Sequence, residues 1–130
     1  MKMTLIEAMN RQRILVEFAN KKLPYRLAYA ISKNLAKFQE EVEIIEKNRK
    51  NLIDNYAVKD DNGEPVIEDN QYKIEDGKID EFNTEFQNFM ATETEIDIFT
   101  VPESVLDSED SRFDVLTVAQ IVALDFMIEQ

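Results

Sequence analysis

The feature that most constrains this chain is a spaced run of apolar residues after Pro24. Ala28, Ile31, Leu35, Phe38, Val42, Ile45, Leu52 and Tyr56 follow one another at steps of 3, 4, 3, 4, 3, 7 and 4. This is the a/d spacing of a helix that presents one continuous seam. Arg49 stands at the one position where the seam is interrupted, and a polar residue there fixes register at a cost in stability. The spacing predicts a helix of about 32 residues, about 48 Å long. In a chain of 130 residues that length leaves two arrangements open. A first helix folds back along it as a helical hairpin, or the far end pairs with a second copy through Ile31, Leu35, Phe38, Val42, Ile45 and Leu52.

The flanking sequence supplies the other elements. Thr4 and Glu7 form a capping box for a first helix, with Leu5, Ala8, Met9, Gln12, Leu15, Val16 and Ala19 at helical spacing. "NKKLPYR" breaks it, and Pro24 suits the start of the next helix. In "KDDNGEPVIEDNQYKI", residues 59–74, "DDNG" and "EDN" are turn signals around the short β-prone pieces "PVI" and "QYKI". Pro65 allows only an edge strand. A small hairpin is expected there. Ile79, Phe82, Phe86 and Phe89 predict a third helix with an aromatic core stripe. The alternation in "TETEIDIFTV" predicts a strand of about six residues, ended by Pro102. Val105, Leu106 and Phe113 anchor a polar loop. Thr117 and Gln120 then open a last helix, apolar on most sides and expected deep in the core. The fold class is mostly α (α+β), one domain over 1–130.

Composition narrows the chemistry. The chain has no Cys, no His and two glycines, Gly63 and Gly77. That removes disulfides, thiol and Ser–His nucleophiles, cysteine-based zinc sites and glycine-rich phosphate loops. A calcium loop begun at Asp60 meets Pro65 at position 6, where glycine is needed, and Gln71 at position 12. One begun at Asp107 meets Arg112 at position 6. Glu40, Glu41 and Glu43 flank Val42 as solvated carboxylates. No cofactor, no metal and no enzymatic activity are expected. The N-terminal residues lack a signal-peptide pattern, and no apolar run is long enough for a membrane span. A soluble intracellular protein is expected.

Charge is uneven along the chain. The net charge is −12, yet residues 1–53 carry 11 basic and 6 acidic side chains, while residues 54–114 carry 4 basic and 19 acidic. Two uses of this asymmetry are open: the halves neutralise each other, or the acids face a basic partner. The candidate partner surface is Asp60, Asp61, Glu64, Glu68, Asp69, Glu75 and Asp76, with Glu93, Glu95, Asp97, Asp107, Glu109 and Asp110. A candidate anion site is Arg11, Arg13, Lys21, Lys22 and Arg26. The overall negative charge, and the scarcity of aromatic residues among these bases, argue against nucleic acid as partner.

"LPYRLAYAISKN", the long charged helix after it, "DDNGEPV", "FNTEFQNF" and "TEIDI" resemble a family of short uncharacterised proteins from bacteriophages and prophages of Gram-positive bacteria. The resemblance covers residues from about 20 to the end and contains no catalytic motif. It implies production in the cytoplasm of an infected bacterium, and it assigns no residue a role. The first functional expectation is then a phage-encoded binding protein that engages a host protein, such as a defence or nucleic-acid enzyme, through its acidic surface. The alternatives are a virion or assembly accessory that self-associates through the long helix, and a nucleotide-signal binder that uses the basic cluster.

Overall fold

The computed structural model describes residues 1–107 and 110–129. Its elements are β1 (Lys2–Thr4), α1 (Leu5–Val16), α2 (Tyr25–Tyr56), β2 (Ile67–Glu68), β3 (Gln71–Tyr72), α3 (Ile79–Met90), β4 (Glu93–Glu95) and α4 (Val118–Leu124). Short 3-10 turns lie at Glu103–Leu106 and Asp125–Met127. The fold is mostly helical, with two small antiparallel sheets, β1–β4 and β2–β3.

The helical hairpin forms. Thr4 ends β1 and caps α1, its Oγ1 accepting the Glu7 backbone N–H at 3.2 Å, so strand passes into helix without a loop. After Val16 the chain turns tightly and buries Phe18. Pro24, with φ −53°, opens the 32-residue α2; its missing N–H costs nothing at a helix start. α1 then packs back along α2.

Two clusters make the core. The larger joins α1, the first half of α2 and the C-terminal residues. In it Leu15, Leu27, Phe38, Leu124 and Met127 are fully buried, and Phe126 meets Phe38 edge-on at 5.9 Å. The smaller is Leu5, Ile45 and Met90, flanked by Met9, Phe86 and Phe89. α1 begins at Leu5, opposite Ile45. Beyond that point α2 and α3 have the β2–β3 segment and each other to pack on. The stripe expected as core is therefore only half-buried: Phe82, Phe86 and Phe89 are intermediate, and Ile79 is 53% exposed.

Two further expectations change. Within residues 94–101, strand pairing stops at Glu95, because in the antiparallel register Glu95 faces Lys2, the first residue of β1, and beyond it the ladder continues only as the Ile96 N–H donating to the Met1 carbonyl. The last helix is capped as expected: Thr117 Oγ1 accepts from the Gln120 N–H, and the Gln120 side chain accepts from the Thr117 N–H. Its burial is confined to its end. Leu124, Met127 and Ile128 are enclosed, while Val118 and Val122 are largely exposed.

The middle segment is a folded hairpin. Ile67 pairs with Tyr72 and Glu68 with Gln71. Asp69 (φ 52°) and Asn70 (φ 64°) make the two-residue turn, the left-handed pair that suits a right-twisted hairpin. A bridge between Ala57 and Ile74 ties its base to the end of α2.

Candidate functional site

The described acidic candidates are all exposed, but they are not equivalent. Asp60 builds its own turn: Oδ1 accepts the backbone N–H groups of Asn62 and Glu64 at 2.9 and 3.0 Å. Glu68 pairs with Lys73 at 3.6 Å. In the second segment, Glu95 binds the N-terminal ammonium at 2.8 Å. That hydrogen bond, and then the ammonium's charge, hold the Glu95 carboxyl below its ordinary value. Asp110 is gripped by the Arg112 guanidinium, which lowers its pKa likewise. Asp97 gives its backbone oxygen to the Lys37 ammonium. Glu109 lies outside the described residues.

The acids of the hairpin and the chain around Asp107 and Asp114 lie at opposite ends of α2. Residues 104–107 and 113–116 lie against Leu23, Pro24 and Leu27, at the start of α2. The hairpin sits on Ile53 and Tyr56, at its end. Leu27 and Tyr56 are about 44 Å apart along the helix. Nor do the halves neutralise each other through side-chain pairs. Apart from the Met1 ammonium, the ion pairs among the described residues are local: Arg49–Glu46, Lys59–Asp54, Lys73–Glu68, Lys78–Glu81 and Arg112–Asp110.

Two of the basic candidates have contacts within the chain. The Arg11 guanidinium lies over the Phe126 ring at 4.7 Å and donates to Met1 Sδ at 2.9 Å. Lys22 donates its backbone N–H to Asp114 Oδ2 at 2.7 Å, and its carbonyl accepts from the Asp114 N–H. Arg13, Lys22 and Arg26 point to solvent as exposed residues, and Lys21 is half-buried.

The seam expected to join copies is occupied inside the chain. Ile31, Phe38 and Ile45 are buried, Leu35 packs against the larger cluster, and Val42 and Leu52 are half-covered. As far as Ile45, α1 and the C-terminal residues cover this face of α2.

The structure adds a feature that helical spacing did not single out. Between the end of α2, the hairpin and α3 lies an open groove of about 460 Å³. Ile53, Tyr72, Ile74, Ile79 and Phe82 supply its apolar walls, with Arg49 at one edge. Tyr56 anchors the wall: its hydroxyl donates to Glu85 Oε1 at 2.7 Å, and its ring meets Phe82 edge-on at 5.9 Å. That hydrogen bond, and then burial, push the Tyr56 pKa well above its ordinary value, so it stays a donor across the working pH range. A sequence signal existed in Ile53 and Ile74, both off the expected seam.

Among the described residues no cluster of acidic side chains is arranged to hold a metal ion, and no helix is long and apolar enough to cross a membrane. What the geometry defines is a helical scaffold carrying an apolar groove whose polar lining residues are Arg49, Asn70, Gln71 and Asn83. Compared with known proteins, the chain matches no family model, no curated protein and no solved structure.

Proposed function

We propose that this chain is a non-enzymatic binding protein whose contact end is the hairpin and groove beyond Ile45. The observation that carries this reading is the coincidence of exposed apolar and acidic groups at that end. Tyr72 and Ile79, which line the groove, are 40 and 53% exposed; Ile67 on β2 is 61% exposed, and Asp61, Glu64, Asp69 and Asp76 are exposed residues of the same hairpin segment. Protein interfaces combine an apolar centre with a polar rim. The unmatched carboxylates select a basic partner and speed its approach. The likeness to phage proteins suggests a host bacterial protein as that partner, with the host cytoplasm as the place of action.

The test is retention of a partner from a Gram-positive lysate at low and at high salt. The tagged chain is compared with a variant carrying Asp61→Asn, Glu64→Gln, Glu68→Gln and Asp69→Asn. Retention that is lost at high salt, and lost again in the variant, supports the reading. Equal retention by the variant overturns it.

A further inference from the structure

At the opposite end of α2, Tyr25, Tyr29 and Lys33 stand one turn apart on one face, at i, i+4 and i+8. Tyr25 is 81% exposed and Tyr29 53%. Phe99 meets Tyr29 edge-on, with centroids 5.6 Å apart and planes at 78°. The Lys33 ammonium lies 5.7 Å from the Tyr29 centroid. Tyr25, Arg26, Tyr29, Phe99, Pro102 and Glu129 line an open cavity of about 390 Å³, a volume in the range of small-ligand sites.

The shelf is held by the core. Asn34 is fully buried, and an amide in that position is unfavourable unless paired. Both its ends serve Phe99: Nδ2 donates to the Phe99 carbonyl at 2.9 Å, and Oδ1 accepts the Phe99 N–H at 2.7 Å. Phe99 lies where the chain has left the β1–β4 ladder, so Asn34 replaces the missing strand and fixes the ring against Tyr29. Charge supplies the second half of the site. In a chain with 27 acidic and 15 basic side chains, Arg26 and Lys33 have no ion-pair partner among the described residues.

We propose that this shelf binds a mononucleotide. The base stacks on the tyrosine faces, which accept any planar ring. The phosphate sits at Arg26 and Lys33, where charge-assisted hydrogen bonds are strongest. Glu129, which also lines the cavity, accepts from an exocyclic amine and favours AMP over UMP. A single phosphate is matched by two cations, whereas a polymer of phosphates meets the repulsion of a −12 chain. The site lies at the other end of α2 from the proposed protein-contact surface and does not depend on it.

The test is an amide NMR titration of the full chain with AMP, UMP, adenosine and a six-residue deoxyadenosine oligonucleotide. Saturable shifts are expected at residues 25–33, 99–101 and 129, with AMP tighter than UMP. Tyr25→Ala weakens AMP about tenfold while Tyr25→Phe retains it, since the ring and not the hydroxyl stacks. Arg26→Gln weakens AMP about tenfold and leaves adenosine unchanged. Tyr25 is too exposed for its loss to unfold the chain, and thermal unfolding checks this. The proposal fails if no ligand shifts these amides at about 10 mM, a concentration that would reveal even millimolar binding. It fails equally if the shifts map elsewhere, or if Tyr25→Ala and Arg26→Gln leave affinity unchanged. Tighter binding of the oligonucleotide than of AMP overturns the mononucleotide assignment.

Discussion

The two halves of α2 present the same kind of apolar seam to very different surroundings. Before Ile45 the seam is enclosed by α1, residues 96–106 and the C-terminal turn, and Phe38 has no exposed surface. After Ile45 it is covered on one side by the hairpin and by α3, whose three phenylalanines stay half-exposed. The first half has its polar backbone matched to side chains with care, as at Asn34. The second half keeps its apolar groups near solvent and its carboxylates unpaired by the basic helices. A helix that continues past its own packing partner becomes an arm, and what the arm carries is available for contact.

The largest expected effect falls in the enclosed half. Phe38→Ala removes a fully buried ring and costs about 3–5 kcal/mol, measured as a lowered denaturant midpoint. A loss comparable to that of an exposed residue would break the contrast between the halves. Asn34→Ala follows, at about 1–3 kcal/mol, because the Phe99 N–H and carbonyl lose their buried partner. Its secondary signature is a changed chemical shift of the Phe99 ring; an unchanged ring would show that Asn34 does not position it. In the arm, Phe82→Ala costs about 1 kcal/mol, in line with partial burial, and lowers the melting temperature less than Phe38→Ala does. Asn70→Ala costs about 1 kcal/mol, since alanine resists the left-handed turn, whereas Asn70→Gly folds normally.

The smallest effect is electrostatic. Glu95 and Asp110 have pKa values lowered in the folded chain. Each therefore stabilises the fold above the ordinary carboxylate range, and that contribution is lost as pH falls through the lowered folded value. Both groups are exposed, so solvent screening keeps it small. Urea midpoints measured from neutral pH down to about pH 3 should fall less steeply in the Glu95→Gln, Asp110→Asn variant. An unchanged slope would place the acid sensitivity elsewhere.

Much of this architecture is legible in the residues. The long helix follows from its 3–4 spacing, and the hairpin from two turn signals with β-prone pieces between. The pairing of β1 with β4 is not legible, because three residues carry little periodicity and their partner lies some ninety positions away. The alternation around Ile96 and Ile98 reads as a longer strand, since nothing local shows that the partner strand reaches only to Lys2, opposite Glu95. The exposed face of the last helix is hidden for a related reason: Val118 and Val122 are apolar, and only the fold shows which side is covered. In the candidate site, the hairpin acids stand out by composition alone. The groove does not, because Ile53, Tyr72 and Phe82 come together only when three elements meet. The tyrosine stripe at 25 and 29 has a plain i, i+4 spacing, but only the structure brings Phe99 beside it.

The most direct test of the division between an enclosed body and a contact arm is amide hydrogen exchange across the whole chain. The account predicts that amides of Ile31 to Phe38, and the Phe99 amide held by Asn34, exchange only through global unfolding. The Val58, Lys73 and Glu75 amides at the hairpin base should exchange through local opening, well before the body does. Equal protection at both ends of α2 would contradict the account, because the arm would then be as much a part of the core as Phe38.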